Sequence, residues 1–436
     1  MIRATRIPGG PLVISETVSE FRSVSIGAWV NVGSADEPVE CAGMAHFIEH
    51  LLFKGTARRS ARQLAEAIED VGGQINAYTA KEYSCFYAKV RRSDLAVAVD
   101  VLGDMLTNSL LGADELERER GVVLDEIRLA EDDPGDLVHD LFAETCWPDV
   151  PLGRPVIGRR ESVRNMRRQD IIDFYRDRYG RPEALMVVAA GGVEHDELVA
   201  LVSEHFSFTN DSGPAQSDDR QRRDSSFAPA TAPIAFAGGF AYRARATEQV
   251  HICLGCPGLA VDDQDVYALE VANVLIGGGA SSRLFQEVRE ERGLAYDVYS
   301  YPTFHRNAGL FTVYAATSPT AAAEVVRIAV DQLRDLALRA PTEVEVARAR
   351  AQLLASLIFG LEDSSALAAR IGKSQLYLGR VESVDEAMQR IETVGAEEVR
   401  RVAARLFCGP MTLAAVGPAE AQSALAAVVA ERIQEC

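Results

Sequence analysis

His46, Glu49 and His50 fall within five consecutive positions of GMAHFIEHLLFKGT, residues 43–56, in a chain with only seven histidines. The stretch reads as a helix whose buried sides are Ala45, Phe47, Ile48, Leu51 and Leu52. With about 100° of rotation per residue, the two histidines and the glutamate lie within about 100° of one another. Two imidazoles one turn apart can bind one zinc ion, and the carboxylate beside them can take a proton from a metal-bound water. The order H-x-x-E-H inverts a commoner zinc motif and is itself a catalytic signature. The competing reading is coincidence: two helix-face histidines and a solvated glutamate.

Zinc used catalytically needs a third protein ligand and an open fourth position. The segment GADELERERGVVLDEIRLAEDD, residues 112–133, predicts a second helix, with Asp114 as its cap and Glu117 three residues on. Glu119 and Glu126 are seven apart and share one face with Val122, Val123, Ile127 and Ala130. Carboxylates in an apolar stripe are costly unless they meet a cation or hydrogen-bond donors. A charged, solvated helix accounts for Glu115, Glu117 and Arg118 but poorly for Glu126.

These residues sit in a chain of 436, too long for one ordinary core, so two domains are expected. The net charge of −19 argues against nucleic acid and anionic membrane surfaces as partners. No apolar run approaches the roughly 20 residues needed to span a bilayer. Seven scattered cysteines and the lack of an apolar signal core at the start point to a reducing, cytoplasmic setting. The lone C-x-x-C of Cys253 and Cys256 reads as two small residues in an apolar strand. An internal repeat places GRRESV at 158–163 and GRVESV at 379–384, each followed by a helical pattern and an apolar strand. Duplicated domains follow from it. The stretch 210–233, rich in Ser, Asp, Pro and Gly, reads as a linker, giving domains at 1–212 and 234–436 with 213–233 between. Strand patterns at 22–33 and 249–256 alternate with long helical ones, which predicts an α+β class with a mostly antiparallel sheet packed with helices in each domain.

HFIEHLLFKGT, followed 126 − 50 = 76 residues later by the glutamate of ERERGVVLDEI, resembles the M16 metallopeptidases: the pitrilysin, insulinase and mitochondrial processing peptidase family. The likeness runs from ATRIPGGPLVISE to GPMTLAAVGP, and the size and duplication are most like the two-domain processing-peptidase branch. The resemblance implies one zinc ion per chain, with His46, His50 and Glu126 as ligands, Glu49 as general base and Glu119 orienting the site. It implies a zinc endopeptidase acting on unfolded peptides inside a closed chamber, and the acidic balance of the chain points to basic ones among them.

VGGQINAYTAKEYSCFYAKV, residues 71–90, reads as a hairpin opened by Gly72 and Gly73. In the family that strand is a sheet edge to which an extended peptide adds, and Asn76 and Ala77 match its substrate-contacting pair. In the second half, the triple glycine of GGGASSRLFQEVREERGLAY, residues 277–296, ends one helix, and Ser281 or Ser282 caps the next. Arg289 and Tyr296 there match a substrate-binding Arg–Tyr pair of the family, with Arg283 a near alternative. Shifting the zinc motif by 221 residues lands on Tyr267, Glu270 and Val271, so the second domain is expected to be inactive. Two-chain members of the family carry these parts on different subunits, so the resemblance implies that a chain with both forms a homodimer with sites completed across the interface. The rival reading is a catalytically silent scaffold subunit of a larger complex. Such a chain would be expected to lose motif residues, and here the whole set stands. His139, His195, His205, His251 and His305 show no partner spacing and receive no role.

Overall fold

In the computed structural model, which describes residues 1–207 and 234–433, the expected α+β class is found: two sheets, each packed with helices. The first sheet holds six strands: β1 (Ile2–Arg6), β2 (Leu12–Thr17), β3 (Ser23–Val30), β4 (Gln74–Thr79), β5 (Ser84–Arg91) and β6 (Leu185–Gly191). Their spatial order is β1-β2-β6-β3-β5-β4, with β2 and β6 parallel and every other pair antiparallel. The second sheet holds β7 (Gly239–Ala244), β8 (Val250–Pro257), β9 (Ala295–Phe304), β10 (Gly309–Thr317) and β11 (Thr412–Gly417), in the order β7-β11-β8-β10-β9. The apolar runs that close each sequence repeat are β6 and β11, and both are buried at every position. The expected linker lies outside the described residues.

Continuous burial along a strand means that both faces of the sheet are covered. One face of the first sheet packs on the large core that contains Phe47, Phe86 and Val187. The other carries Ile14, Trp29, Met186, Val188 and Ala190. A helix from late in the chain, Ser364–Leu378, covers that second face. Its Gly372 lies so close to Trp29 that a Cβ there would come within 2.4 Å of the indole. Correspondingly, the helix Pro134–Cys146 from the first half packs on β8 and β11. The compact units are therefore not the contiguous halves 1–212 and 234–436. One combines Met1–Ile127, the described stretch after Arg154, and Phe359–Val381; the other takes Arg128–Gly153 with the rest of the second half. Local patterning marks these helices as amphipathic but carries no address for the sheet they cover.

Three local expectations need adjustment. The helix expected at 112–133 runs Ala113–Asp132, and Asp114 sits in its first turn instead of capping it. Its buried stripe is Leu116, Glu119, Val123 and Ile127, while Val122 is 43% exposed, because spacings of 3, 4 and 4 define a narrower stripe than the sequence suggests. The triple glycine does end a helix, Val266–Ile276, with Gly277 at its C-cap. However, the Ser282 hydroxyl is buried without a hydrogen-bond partner among the described residues, so it does not cap the segment that follows. Cys253 and Cys256 sit on opposite faces of β8, three positions apart on a strand, and burial pushes both thiols up. Among the described residues no helix is long and apolar enough to cross a membrane.

Candidate metal centre

The helix α1 (Met44–Leu52) buries Met44, Ala45, Phe47, Ile48, Leu51 and Leu52; the residues it leaves partly open are His46, Glu49 and His50. The five bulky apolar side chains each contribute roughly 1.5–3 kcal/mol on burial, which fixes the rotation of α1 and hence the direction of the three polar ones. Its start is built with care. Gly43 at the N-cap has φ +95°, a conformation that favours glycine, and a Cβ there would meet the Ile157 carbonyl at 2.7 Å. Buried Glu37 reaches in from the preceding loop and accepts from the backbone N–H groups of Gly43 and Ala45, both at 2.7 Å. Those are donors the helix itself cannot satisfy. Burial pushes the Glu37 carboxyl up to about 8 against these two donors.

The second helix, α2 (Ala113–Asp132), is pinned by Arg120, which bonds the Val163 and Met166 carbonyls and lies over the Phe47 ring. It brings Glu126 to the histidines. Glu126 Oε2 is 3.7 Å from His46 Nε2 and 3.4 Å from His50 Nε2, and the imidazole centroids are 4.8 Å apart. Among the described residues this is the only trio of potential metal ligands, and its ligand atoms all lie within 4.8 Å of one another. Tetrahedral zinc with bonds near 2.1 Å has ligands about 3.4 Å apart, so the donor set and its spacing fit such an ion. Burial, reinforced by the neighbouring His50, pushes His46 down to about 4, which keeps its ring neutral and able to donate a lone pair.

Glu49 faces the edge strand β4. The Thr79 hydroxyl donates to its Oε2 at 2.6 Å. Burial raises the Glu49 carboxyl, and the Thr79 bond partly opposes that rise. Glu119, buried on α2, takes His50 Nδ1 at 3.1 Å through Oε2 and Lys54 Nζ at 2.8 Å through Oε1. Sequence reasoning brings together His46, Glu49, His50, Glu119 and Glu126. It misses Glu37, Thr79 and Lys54. Strand alternation places Thr79 on the same side of β4 as Ile75 and Ala77, and Lys54 is four residues past His50, so each had a faint periodic signal; Glu37 had none.

Asn76 and Ala77 lie on β4, at the sheet edge, and the Asn76 Oδ1 accepts from the Ala77 N–H at 2.8 Å. In the second unit, Arg289 and Tyr296 meet: the guanidinium donates to the Tyr296 carbonyl at 2.8 Å and sits 4.5 Å from its ring centroid. The Tyr296 side chain is highly exposed. Arg283 is instead engaged with Glu345 and Asp335. At the duplicated position, the Tyr267 hydroxyl donates to Glu382, and burial pushes Glu270 up to about 7. His139 and His251 bond the hydroxyls of Tyr301 and Tyr314, and His195 lies between Thr5 and Ser15, which are structural engagements.

Two family descriptions match: "Insulinase (Peptidase family M16)" over residues 12–160 and "Peptidase M16 inactive domain" over residues 165–353. The chain belongs to peptidase family M16. It is 44% identical to a zinc protease of Streptomyces coelicolor, with 96% of this chain and 90% of that one covered. A zinc protease of Bacillus subtilis is 34% identical, with 96% and 98% covered. The fold matches that of a protease from Helicobacter pylori with a TM-score of 0.87 at 22% identity, covering 96% of this chain and 100% of that one.

Proposed function

We propose that this protein is a zinc-dependent endopeptidase that cleaves unfolded peptides laid as an added strand along β4. The observation that carries this reading is the convergence of His46, His50 and Glu126 at zinc-like spacing with Glu49 on the same open side of α1. Zinc held by those three residues would supply a Lewis acid for the scissile carbonyl and would acidify water beside it. Glu49 takes the proton of the attacking water and returns it to the leaving amine. Its raised pKa, caused by burial, makes it a stronger base than an exposed carboxylate. Because Thr79 belongs to β4, the strand that pairs with the peptide also holds the base. Backbone pairing gives sequence-tolerant affinity, and the acidic balance of the chain favours basic peptides. A closed chamber around the site would restrict entry to peptides without stable folds. We assign Arg289 and Tyr296 to gripping the peptide from a second copy of the chain, since a guanidinium and a phenol both donate to peptide carbonyls.

The test is Glu49→Gln. The variant should keep zinc at one ion per chain by metal analysis, while peptide hydrolysis falls by roughly 10²- to 10⁴-fold. Undiminished hydrolysis by that variant, or a wild-type protein that binds no zinc, removes the reading.

A further inference from the structure

The two histidines of the metal centre are held unequally. His46 Nδ1 is buried with no hydrogen-bond partner among the described residues. His50 Nδ1 meets Glu119 at 3.1 Å, and the other oxygen of that carboxylate meets Lys54 Nζ at 2.8 Å. The Glu119 side chain is 7% exposed and that of Lys54 is 32% exposed. We infer that Lys54 is a positioning residue of the metal centre: by anchoring one oxygen of Glu119 it holds the other against His50, and so presents His50 Nε2 to the ion. This rests on the zinc-site reading above and extends it to a residue that reaches the metal ligands through Glu119.

A buried carboxylate without a countercharge is costly, and the compact ammonium balances it. With Oε1 tied to Lys54, rotation of the carboxylate is restricted, and Oε2 stays an acceptor for the imidazole. An ionised carboxylate only accepts, so His50 carries its proton on Nδ1 and keeps the Nε2 lone pair free. That nitrogen is the one that faces Glu126, at 3.4 Å. Lys54 is well placed to do this because it follows the last turn of α1. Its N–H bonds the Leu51 carbonyl at 3.0 Å, and a cation near a helix C-terminus is favoured by the helix dipole. The chain thus ties the end of the motif helix to the carboxylate that sets the motif histidine.

Simple electrostatics gives the opposite expectation, which makes the inference testable. An ammonium near a cation site repels the cation, so on through-space charge alone its removal should tighten zinc binding. As a clamp, its removal should loosen zinc binding. The experiment is a competition titration of zinc against a chromophoric chelator, using the full-length wild type, Lys54→Met, Lys54→Arg, Glu119→Gln and the double variant Lys54→Met/Glu119→Gln. Lys54→Met should weaken zinc binding roughly 10- to 100-fold, and Lys54→Arg should restore most of it. The double variant should be no weaker than Glu119→Gln alone, since Lys54 acts only through Glu119. The nitrogen chemical shifts of His50 in the zinc-free protein give an independent readout: one tautomer in wild type, a mixture in Lys54→Met. Should Lys54→Met not fold, Lys54→Ala takes its place in both readouts, with the same outcomes expected. Zinc affinity of Lys54→Met equal to or tighter than wild type, or an unchanged His50 tautomer in both Lys54→Met and Glu119→Gln, overturns the inference. A wild type that binds no zinc would instead overturn the underlying zinc-site reading.

Discussion

Thr79→Val isolates the contact between the edge strand and the proposed base. Valine keeps the β-branched shape of threonine and suits a strand, so β4 and its pairing with β5 should persist. What is lost is a 2.6 Å hydroxyl donor to a largely buried carboxylate. A hydrogen bond to a charged group contributes about 1.5–3 kcal/mol, and 1.4 kcal/mol is a factor of ten. The Thr79 backbone also bonds Glu49 and survives the substitution, which places the expected loss in the lower half of that range. We expect kcat to fall by roughly 10- to 30-fold. KM should hold, because peptide pairing uses the β4 backbone, and zinc content should hold, because no ligand is touched. Thr79→Ser should stay near wild type. The assay is steady-state cleavage of an internally quenched peptide at saturating zinc. A kcat for Thr79→Val within twofold of wild type, with zinc content intact, would show that Glu49 is positioned by something else. A loss confined to KM would place Thr79 in peptide binding instead.

Glu270, the duplicated counterpart of Glu49, gives a pH prediction. Burial pushes its carboxyl to about 7 in the folded chain, against 4.5 for an ordinary glutamate. The folded state therefore holds a proton that the unfolded state has released between those values. This contribution is fully present below pH 4.5 and is lost as pH rises through about 7, by about 3–4 kcal/mol in all. Glu270→Gln should flatten that fall in denaturant titrations at pH 5 and pH 8; a slope identical to wild type would contradict the assignment. For the shared-site reading, mixing Glu49→Gln chains with Arg289→Ala chains should restore part of the lost hydrolysis through dimers with one intact site. No recovery after confirmed subunit exchange would place Arg289 within its own chain's site, or outside catalysis.

Much of the candidate metal centre could be read from the chain because its signals are local. Two histidines and a glutamate in helical register, backed by five apolar residues, define one face of α1 whatever surrounds it. Glu126 emerged from a similar rule, a carboxylate seven residues from another in an apolar stripe, and the burial of Glu119 follows the same stripe. The strands β3, β6, β8 and β11 were legible as apolar runs, and the repeat of about half the chain gave the two sheets. Periodicity gives the faces of a helix but not its final rotation against neighbours, and so Val122 was placed on the buried side when it is exposed. Partners supplied from other elements were beyond it as well. Glu37 caps α1 from a loop, Thr79 meets Glu49 from a strand thirty positions on, and Lys54 closes on Glu119 across two helices. The exchange of Pro134–Cys146 and Ser364–Leu378 between units is of the same kind. Composition and spacing determined which residues could hold a divalent ion; tertiary packing decided what holds those residues, because contacts between distant segments depend on how whole elements pack and not on any local period.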